Sequence, residues 1–307
     1  MKKILAWVLA ISLLLCGAAF AEEAEEVHVK VGVVGENNEQ WEQVIIPTLA
    51  EEGIIIELVK FSDYIIPNQA LAQGEIDMNA FQHYDFMNNW NEENSAAYGV
   101  TLVGLCDTLI APLCIYSDKI TSLDELKEGD QIAIMNDVVN EARALRMLAS
   151  TGLITLSEDS TELATVADIA ENPLGLEFVE MEAALTPTAM KDPAIAIAFL
   201  NGTHAKDAGL TNDQALLVEE FDFDDESMHG IVNNIAVRAD DIDNPVYQRI
   251  AEVYQSDEVR ALFDTVYAGV YLPAWEAADE TTEATDEATE AADEATDEAE
   301  TEEPAAE

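Results

Sequence analysis

Ile76-Asp77-Met78-Asn79-Ala80-Phe81-Gln82-His83 begins as an apolar, strand-like run and breaks into aromatic, amide and imidazole side chains. Just upstream, Ile54 to Lys60 runs out in the same way into Phe61-Ser62-Asp63-Tyr64-Ile65-Ile66-Pro67-Asn68. Strand ends in α/β sheets are where ligands sit, because backbone groups and side chains converge there outside the packed core. Two such ends carrying Tyr64, Phe81, His83 and Phe86 point to a small aromatic-walled pocket. The alternative is a hydrophobic core with a few polar strays.

Working outward, strand-like and helix-like segments alternate. Val27 to Val34 is β-branched and ends at Gly35, Glu39 to Glu52 has helical spacing, and Pro67 to Gln73 is a short helix opened by proline. With the strands at Ile54 to Lys60 and Ile76 to Ala80, this β-α-β-α-β rhythm predicts a parallel sheet with helices on both faces. A second set follows. Ala111 to Tyr116 is extended, Ser122 to Leu126 reads as a capped helix start, Gln131 to Met135 is a strand and Asn140 to Ser150 a helix. Leu176 to Met181, Ala194 to Leu200 and Asn234 to Arg238 read as further strands, and Val246 to Val266 as a closing helix. The repeated rhythm predicts two α/β lobes with a cleft between them and hinges where the chain crosses.

The first 21 residues read as an export signal: Lys2 and Lys3, an apolar run from Ile4 to Leu15, and Ala19-Phe20-Ala21 as a cleavage site. The run falls short of the roughly 20 residues that span a bilayer, so the mature protein is expected outside the cytoplasm. Cys16 as a lipid anchor is disfavoured, because Leu13-Leu14-Leu15 are bulky and cleavage after Ala21 discards it. Cys106 and Cys114 are equally readable as a disulfide or as two buried thiols. No Cys or His spacing suggests a metal, and no cofactor is expected.

Charge is lopsided, with 63 acidic residues against 13 basic and a formal net charge of −50. Residues 276–307 hold 15 of the acids and no Lys or Arg, in a loose heptad without a large apolar seam. Such a segment cannot offset its ordering entropy and is expected to be a disordered acidic tail. The acidity of the rest of the chain repels nucleic acid and anionic lipid. The predicted organisation is a signal at 1–21, a first lobe over 28–112, a second over 113–230, a return to the first over 231–275, and the tail over 276–307.

Arginine is scarce, with five after the signal. Arg143, in Asn136-Asp137-Val138-Val139-Asn140-Glu141-Ala142-Arg143, lies near a helix start beside amides, which suits a bidentate grip on a carboxylate. Arg146 competes for that role, and a surface arginine paired with a nearby acid is the plain alternative. Asn201 follows one buried strand and Asn233 precedes another, where each could bond an ammonium or a carboxylate or perform ordinary cap chemistry. No nucleophile–base set and no Gly-rich phosphate loop is present, so nothing argues for catalysis.

These segments together resemble the NlpA-type methionine-binding lipoproteins, the substrate-binding components of methionine ABC importers. The resemblance runs from about Val29 to Trp275. It rests on Val31-Gly32-Val33, Phe61-x-Asp63-Tyr64-x-x-Pro67-Asn68, Asn79-Ala80-Phe81-Gln82-His83, Ser122-Leu123-Asp124-Glu125-Leu126, Asn136-Asp137-x-x-Asn140, Glu171-Asn172-Pro173 and Tyr254-Gln255-Ser256-Asp257-Glu258-Val259. It implies a two-lobed periplasmic-binding-protein-like α/β fold holding methionine in the cleft. Tyr64, Phe81 and His83 would wall the side-chain pocket, with Phe86 where the family often has tyrosine. Arg143 would take the carboxylate, with Asn140, Asn201 and Asn233 completing the polar contacts. An ABC permease and ATPase are the implied partners of a monomer. Val138-Val139 replaces a Pro-Thr pair common in the family, and Leu15 breaks its lipid-anchoring pattern. The rival readings are the same fold with another small apolar amino acid or short peptide, and an acidic surface protein for adhesion or signalling.

Overall fold

The computed structural model describes residues 26–275. The expected signal, the Cys16 anchor and the acidic tail lie outside those residues. Two five-stranded sheets organise the chain. In the first, Ile54–Phe61 pairs in parallel with Val27–Val34, which pairs in parallel with Met78–Asn79. The returning strand Asn234–Arg238 inserts antiparallel between Met78–Asn79 and Leu102–Asp107. The second sheet runs Glu177–Met181, Gln131–Met135, Ile195–Leu200, Cys114–Tyr116 and Leu217–Val218. Its first three strands are parallel and its last two pairings antiparallel. Each sheet is therefore mixed where the sequence rhythm suggested parallel. The odd strands belong to the segments that leave and re-enter a lobe, which β-α-β counting does not see.

Several elements are shorter or differently wound than their patterns suggest. The Glu39 to Glu52 region is a wide π-turn over Gln40–Ile45 that tightens into an α-helix over Ile46–Glu51, with Pro47 in its first turn. Ser122 caps only a single 3-10 turn, Leu123–Glu125. The closing helix stops at Tyr254, and Ser256 caps a fresh turn over Asp257–Arg260 by accepting from Val259 N. Cys106 and Cys114 are free thiols, one in each sheet, and burial pushes both up, Cys106 to about 12 and Cys114 to about 11.

Each lobe has its own apolar interior. Val29, Val31, Val33, Trp41, Leu49 and Tyr254 pack in the first, and Ile132, Ile134, Leu145, Leu148, Ile197 and Phe199 in the second. The lobes meet where the Gly202–Asp207 helix abuts the turn after the first strand. There the Asp207 carboxylate accepts from the Glu36 backbone N–H and from Asn37 Nδ2, and Lys206 Nζ lies 3.3 Å from Glu39 Oε1. Gly35 makes this approach possible: its φ is +87°, and a Cβ there would stand 2.7 Å from Thr203 Cγ2. An L side chain at that position would be both strained and in collision.

The strand ends that carry the aromatic residues are fixed from behind by three buried amides. Asn68 Nδ2 donates to Gln82 Oε1 at 2.7 Å while Gln82 Nε2 donates back to Asn68 Oδ1 at 2.7 Å. Asn79 Nδ2 also donates to Asn68 Oδ1, and Gln82 Nε2 to Asn79 Oδ1, each at 2.9 Å. A closed amide ring in a dry interior fixes one conformation, because every alternative strands a polar atom. Asn68→Ala is expected to lower unfolding free energy by about 1–3 kcal/mol for each amide left unpaired. Urea denaturation checks this, and an unchanged midpoint would show the ring to be dispensable.

Candidate functional site

Between the lobes lies a small cavity. The structure places all eight residues named from the sequence on its wall: Tyr64, Phe81, His83 and Phe86 from the first lobe, Asn140, Arg143 and Asn201 from the second, and Asn233 from the returning chain. Gln82, Ala111, Gly202 and Thr203 complete the lining.

On the first-lobe side the rings form a box. Tyr64 and Phe81 stack with centroids 5.8 Å apart, and Phe86 stands edge-on to both at 6.2 and 6.0 Å. His83 is likewise edge-on to Phe86 at 6.2 Å. His204, which the sequence reading left out of the aromatic cluster, joins it from the second lobe. Its buried ring lies 5.2 Å from Tyr64. A linear, polarisable side chain suits such walls, since sulfur–aromatic contacts contribute about 0.3–1.5 kcal/mol each.

His83 opens the Tyr84–Tyr98 helix, and its Nδ1 accepts from the Phe86 backbone N–H at 3.3 Å. The proton therefore sits on Nε2, which donates across the cleft to Asn140 Oδ1 at 3.4 Å. Burial, reinforced by the Arg143 charge, pushes its pKa down to about 3. The imidazole is neutral over the ordinary pH range and serves as wall and spacer.

The polar side comes from two helix starts in the second lobe. Asp137 caps the Val138–Ser150 helix, accepting from Asn140 N and from Asn140 Nδ2, both at 2.9 Å. Burial raises the Asp137 carboxyl. Asn140 Oδ1 then accepts from Asn201 Nδ2 at 2.9 Å. Asn201 precedes the Gly202–Asp207 helix, yet its side chain makes no capping bond, and its Oδ1 is buried without a partner. A buried acceptor left open is an expensive arrangement unless a ligand donor meets it. Asn233 bridges backbone to backbone with His83, and its Nδ2 reaches toward Phe81 O at 3.5 Å.

Arg143 is 5% exposed. Its Nε donates to Glu219 Oε1 at 2.6 Å, and its Nη2 to Glu219 Oε2 and to Ala111 O, the latter at 3.2 Å. Burial disfavours the charged guanidinium, but the Glu219 carboxylate outweighs it and raises the pKa. Burial likewise opposes the Glu219 carboxylate, and Arg143 overcomes that to hold it below its usual range. Arg146, the rival from the same helix, points elsewhere and donates to Glu162 O. Sequence reading had set "ligand grip" against "paired with an acid" for Arg143; here the acid pair and the cavity wall coexist. Glu219 itself was missed. Among so many carboxylates, its one mark is that it ends the apolar run Leu216-Leu217-Val218.

The sequence profile of the family described as NlpA lipoprotein matches residues 29–275. The D-methionine-binding lipoprotein MetQ of Salmonella typhi is 38% identical over 266 residues, covering 86% of this chain and 94% of that protein. Among solved structures, a nutrient binding protein from Burkholderia cenocepacia bound to methionine is 34% identical with a TM-score of 0.73, covering 80% of this chain and 100% of the other. The substrate binding protein of a methionine transporter from Streptococcus pneumoniae is 34% identical with a TM-score of 0.74, covering 81% and 96%.

The His83 proton has a sign that can be worked out. The unfolded imidazole takes a proton below its ordinary value near 6.5, whereas the folded one resists until about 3. Stability from this group is present above pH 6.5 and is lost as pH falls through that window. His83→Gln is expected to flatten the pH dependence between pH 6 and 4, by on the order of 1.4 kcal/mol per pH unit at most. Parallel wild-type and variant denaturation curves at pH 6, 5 and 4 would contradict it.

Proposed function

The chain belongs to the NlpA lipoprotein family, and on that premise we propose that it is an extracytoplasmic solute-binding protein that captures methionine and hands it to an ABC importer. One observation carries the reading. Four rings, a guanidinium and an asparagine whose amide oxygen has no partner among the described residues line one small cavity. The thioether would lie among Tyr64, Phe81, His83 and Phe86. The carboxylate would meet Arg143 through Nη1, which makes no hydrogen bond among the described residues. The ammonium would donate to Asn201 Oδ1, with Asn140 and Asn233 completing the polar contacts.

The binding elements come from different lobes, so a ligand gains its full set of contacts only when the lobes are together. Hinge closure of periplasmic binding proteins has this character. A permease and ATPase that recognise the closed form would then read ligand occupancy. The cavity is a binder's site in our reading: no serine, cysteine or lysine lines it, and its histidine is neutral with both nitrogens engaged. A monomer attached to the membrane through its transporter fits this role.

Titration calorimetry with an amino-acid panel tests the proposal directly. Methionine should bind, and other small apolar amino acids more weakly. Arg143→Lys keeps a positive charge beside Glu219 but loses the planar fork, and should weaken methionine binding by about 1.5–3 kcal/mol. Unchanged affinity in that variant would remove Arg143 from the site, and a better-bound amino acid would replace methionine as the ligand.

A further inference from the structure

Arg143 does not reach the cavity as a free cation. Two of its three nitrogens are taken, Nε by Glu219 and Nη2 by Glu219 and Ala111 O. Glu219 is itself locked: Oε2 accepts from Leu113 N at 3.1 Å, and its backbone N–H donates to Leu113 O at 2.9 Å. His83, the other basic group on the wall, is neutral. The basic side of the cavity therefore carries one positive and one negative charge in direct contact. Asp85 and Asp137 also feel Arg143 but make no hydrogen bond to it; both are raised by burial, and any ionisation adds negative charge.

We infer that Glu219 is the specificity-determining residue that makes this cavity accept a zwitterion and refuse an anion. A bare Arg143 would attract any carboxylate of the right shape. With Glu219 beside it, a ligand carboxylate enters a site whose cation is already balanced, and an uncompensated buried charge is heavily penalised. A ligand that brings its own ammonium, to be met by Asn201 Oδ1, leaves the sum at zero. Glu219 does not line the cavity and acts through Arg143, so it is a positioning residue for the guanidinium as well as its charge balance.

The inference rests on the methionine reading, and the test separates the two. Calorimetry on the full-length protein compares methionine with 4-(methylthio)butanoate, which keeps the thioether and carboxylate and lacks the amino group. Wild-type protein should prefer methionine by 100-fold or more. In Glu219→Gln, which keeps the side-chain shape and drops the charge, that preference should fall at least tenfold because the anion gains. Glu219→Asp, which keeps the charge, should retain the wild-type ratio. If both ligands weaken by the same factor in Glu219→Gln, the residue is scaffolding and the inference is overturned. Wild-type protein that ignores methionine would overturn the ligand reading instead. Should Glu219→Gln fail to fold, the wild type decides: a preference for methionine below 100-fold overturns the inference, and one of 100-fold or more supports it.

Discussion

Taking a guanidinium out of water to 5% exposure carries a cost that a counter-charge in contact must offset, and that requirement organises the cleft. Glu219 supplies it from 76 residues away in sequence. In doing so it ties together the Val138–Ser150 helix, the outgoing segment at Ala111 and Leu113, and the returning segment that begins at Glu219. The last two of these carry the chain between the two sheets. Arg143 is therefore bonded directly to the segments that join them.

The lobes contribute different chemistry because their strand ends differ. In the first lobe, the strands ending at Phe61 and Asn79 run into aromatic residues, held in place by the Asn68–Asn79–Gln82 amide ring behind them. That ring is invisible from the cavity apart from Gln82, yet it fixes where Phe81 and His83 stand. In the second lobe, strands ending at Met135 and Leu200 lead into helix starts whose amides bond one another, Asp137 to Asn140 to Asn201. One buried amide oxygen in this chain, Asn201 Oδ1, has no partner among the described residues, and Asn201 and Arg143 line the same cavity. Rings on one side, and a guanidinium and asparagines on the other, are the chemistry on which the zwitterion reading rests.

How much of this the sequence shows depends on separation along the chain. Tyr64, Phe81, His83 and Phe86 lie within 23 consecutive positions at two adjacent strand ends, so local pattern finds them. Asn140 and Arg143 share one helix start, and Asn201 and Asn233 flank recognisable strands. Glu219 is different in kind, since its meaning comes only from a partner 76 residues distant in a chain full of carboxylates. His204 escaped for the same reason: its neighbour Tyr64 belongs to the other lobe. In the fold, alternation located many of the strands but neither Leu102–Asp107 nor Leu217–Val218, and it did not give direction, because Asn234–Arg238 enters its sheet from the second lobe. The break after Tyr254 did leave a trace in Ser256-Asp257-Glu258, a cap followed by acids in the next first turn.

The contacts that hold the lobes together suggest why a ligand would govern closure. They include Lys206–Glu39, the Asp207 carboxylate on the Glu36–Asn37 turn, and Asn212 bonded to Gly269 O and Val270 O, and several of these groups are reached by water. Pairs of that kind contribute little, typically under about 1 kcal/mol each. His83–Asn140 adds one long hydrogen bond across the cleft. A ligand that binds the closed arrangement better would raise its population. The ring box belongs to one lobe and the polar groups mostly to the other. A ligand touching only one of them has no preference between open and closed, and shifts nothing however tightly it binds. One that spans both, with an apolar tail and two charged ends at amino-acid spacing, gains its second set of contacts only on closure. A division of chemistry of this kind would couple recognition of such a ligand to closure.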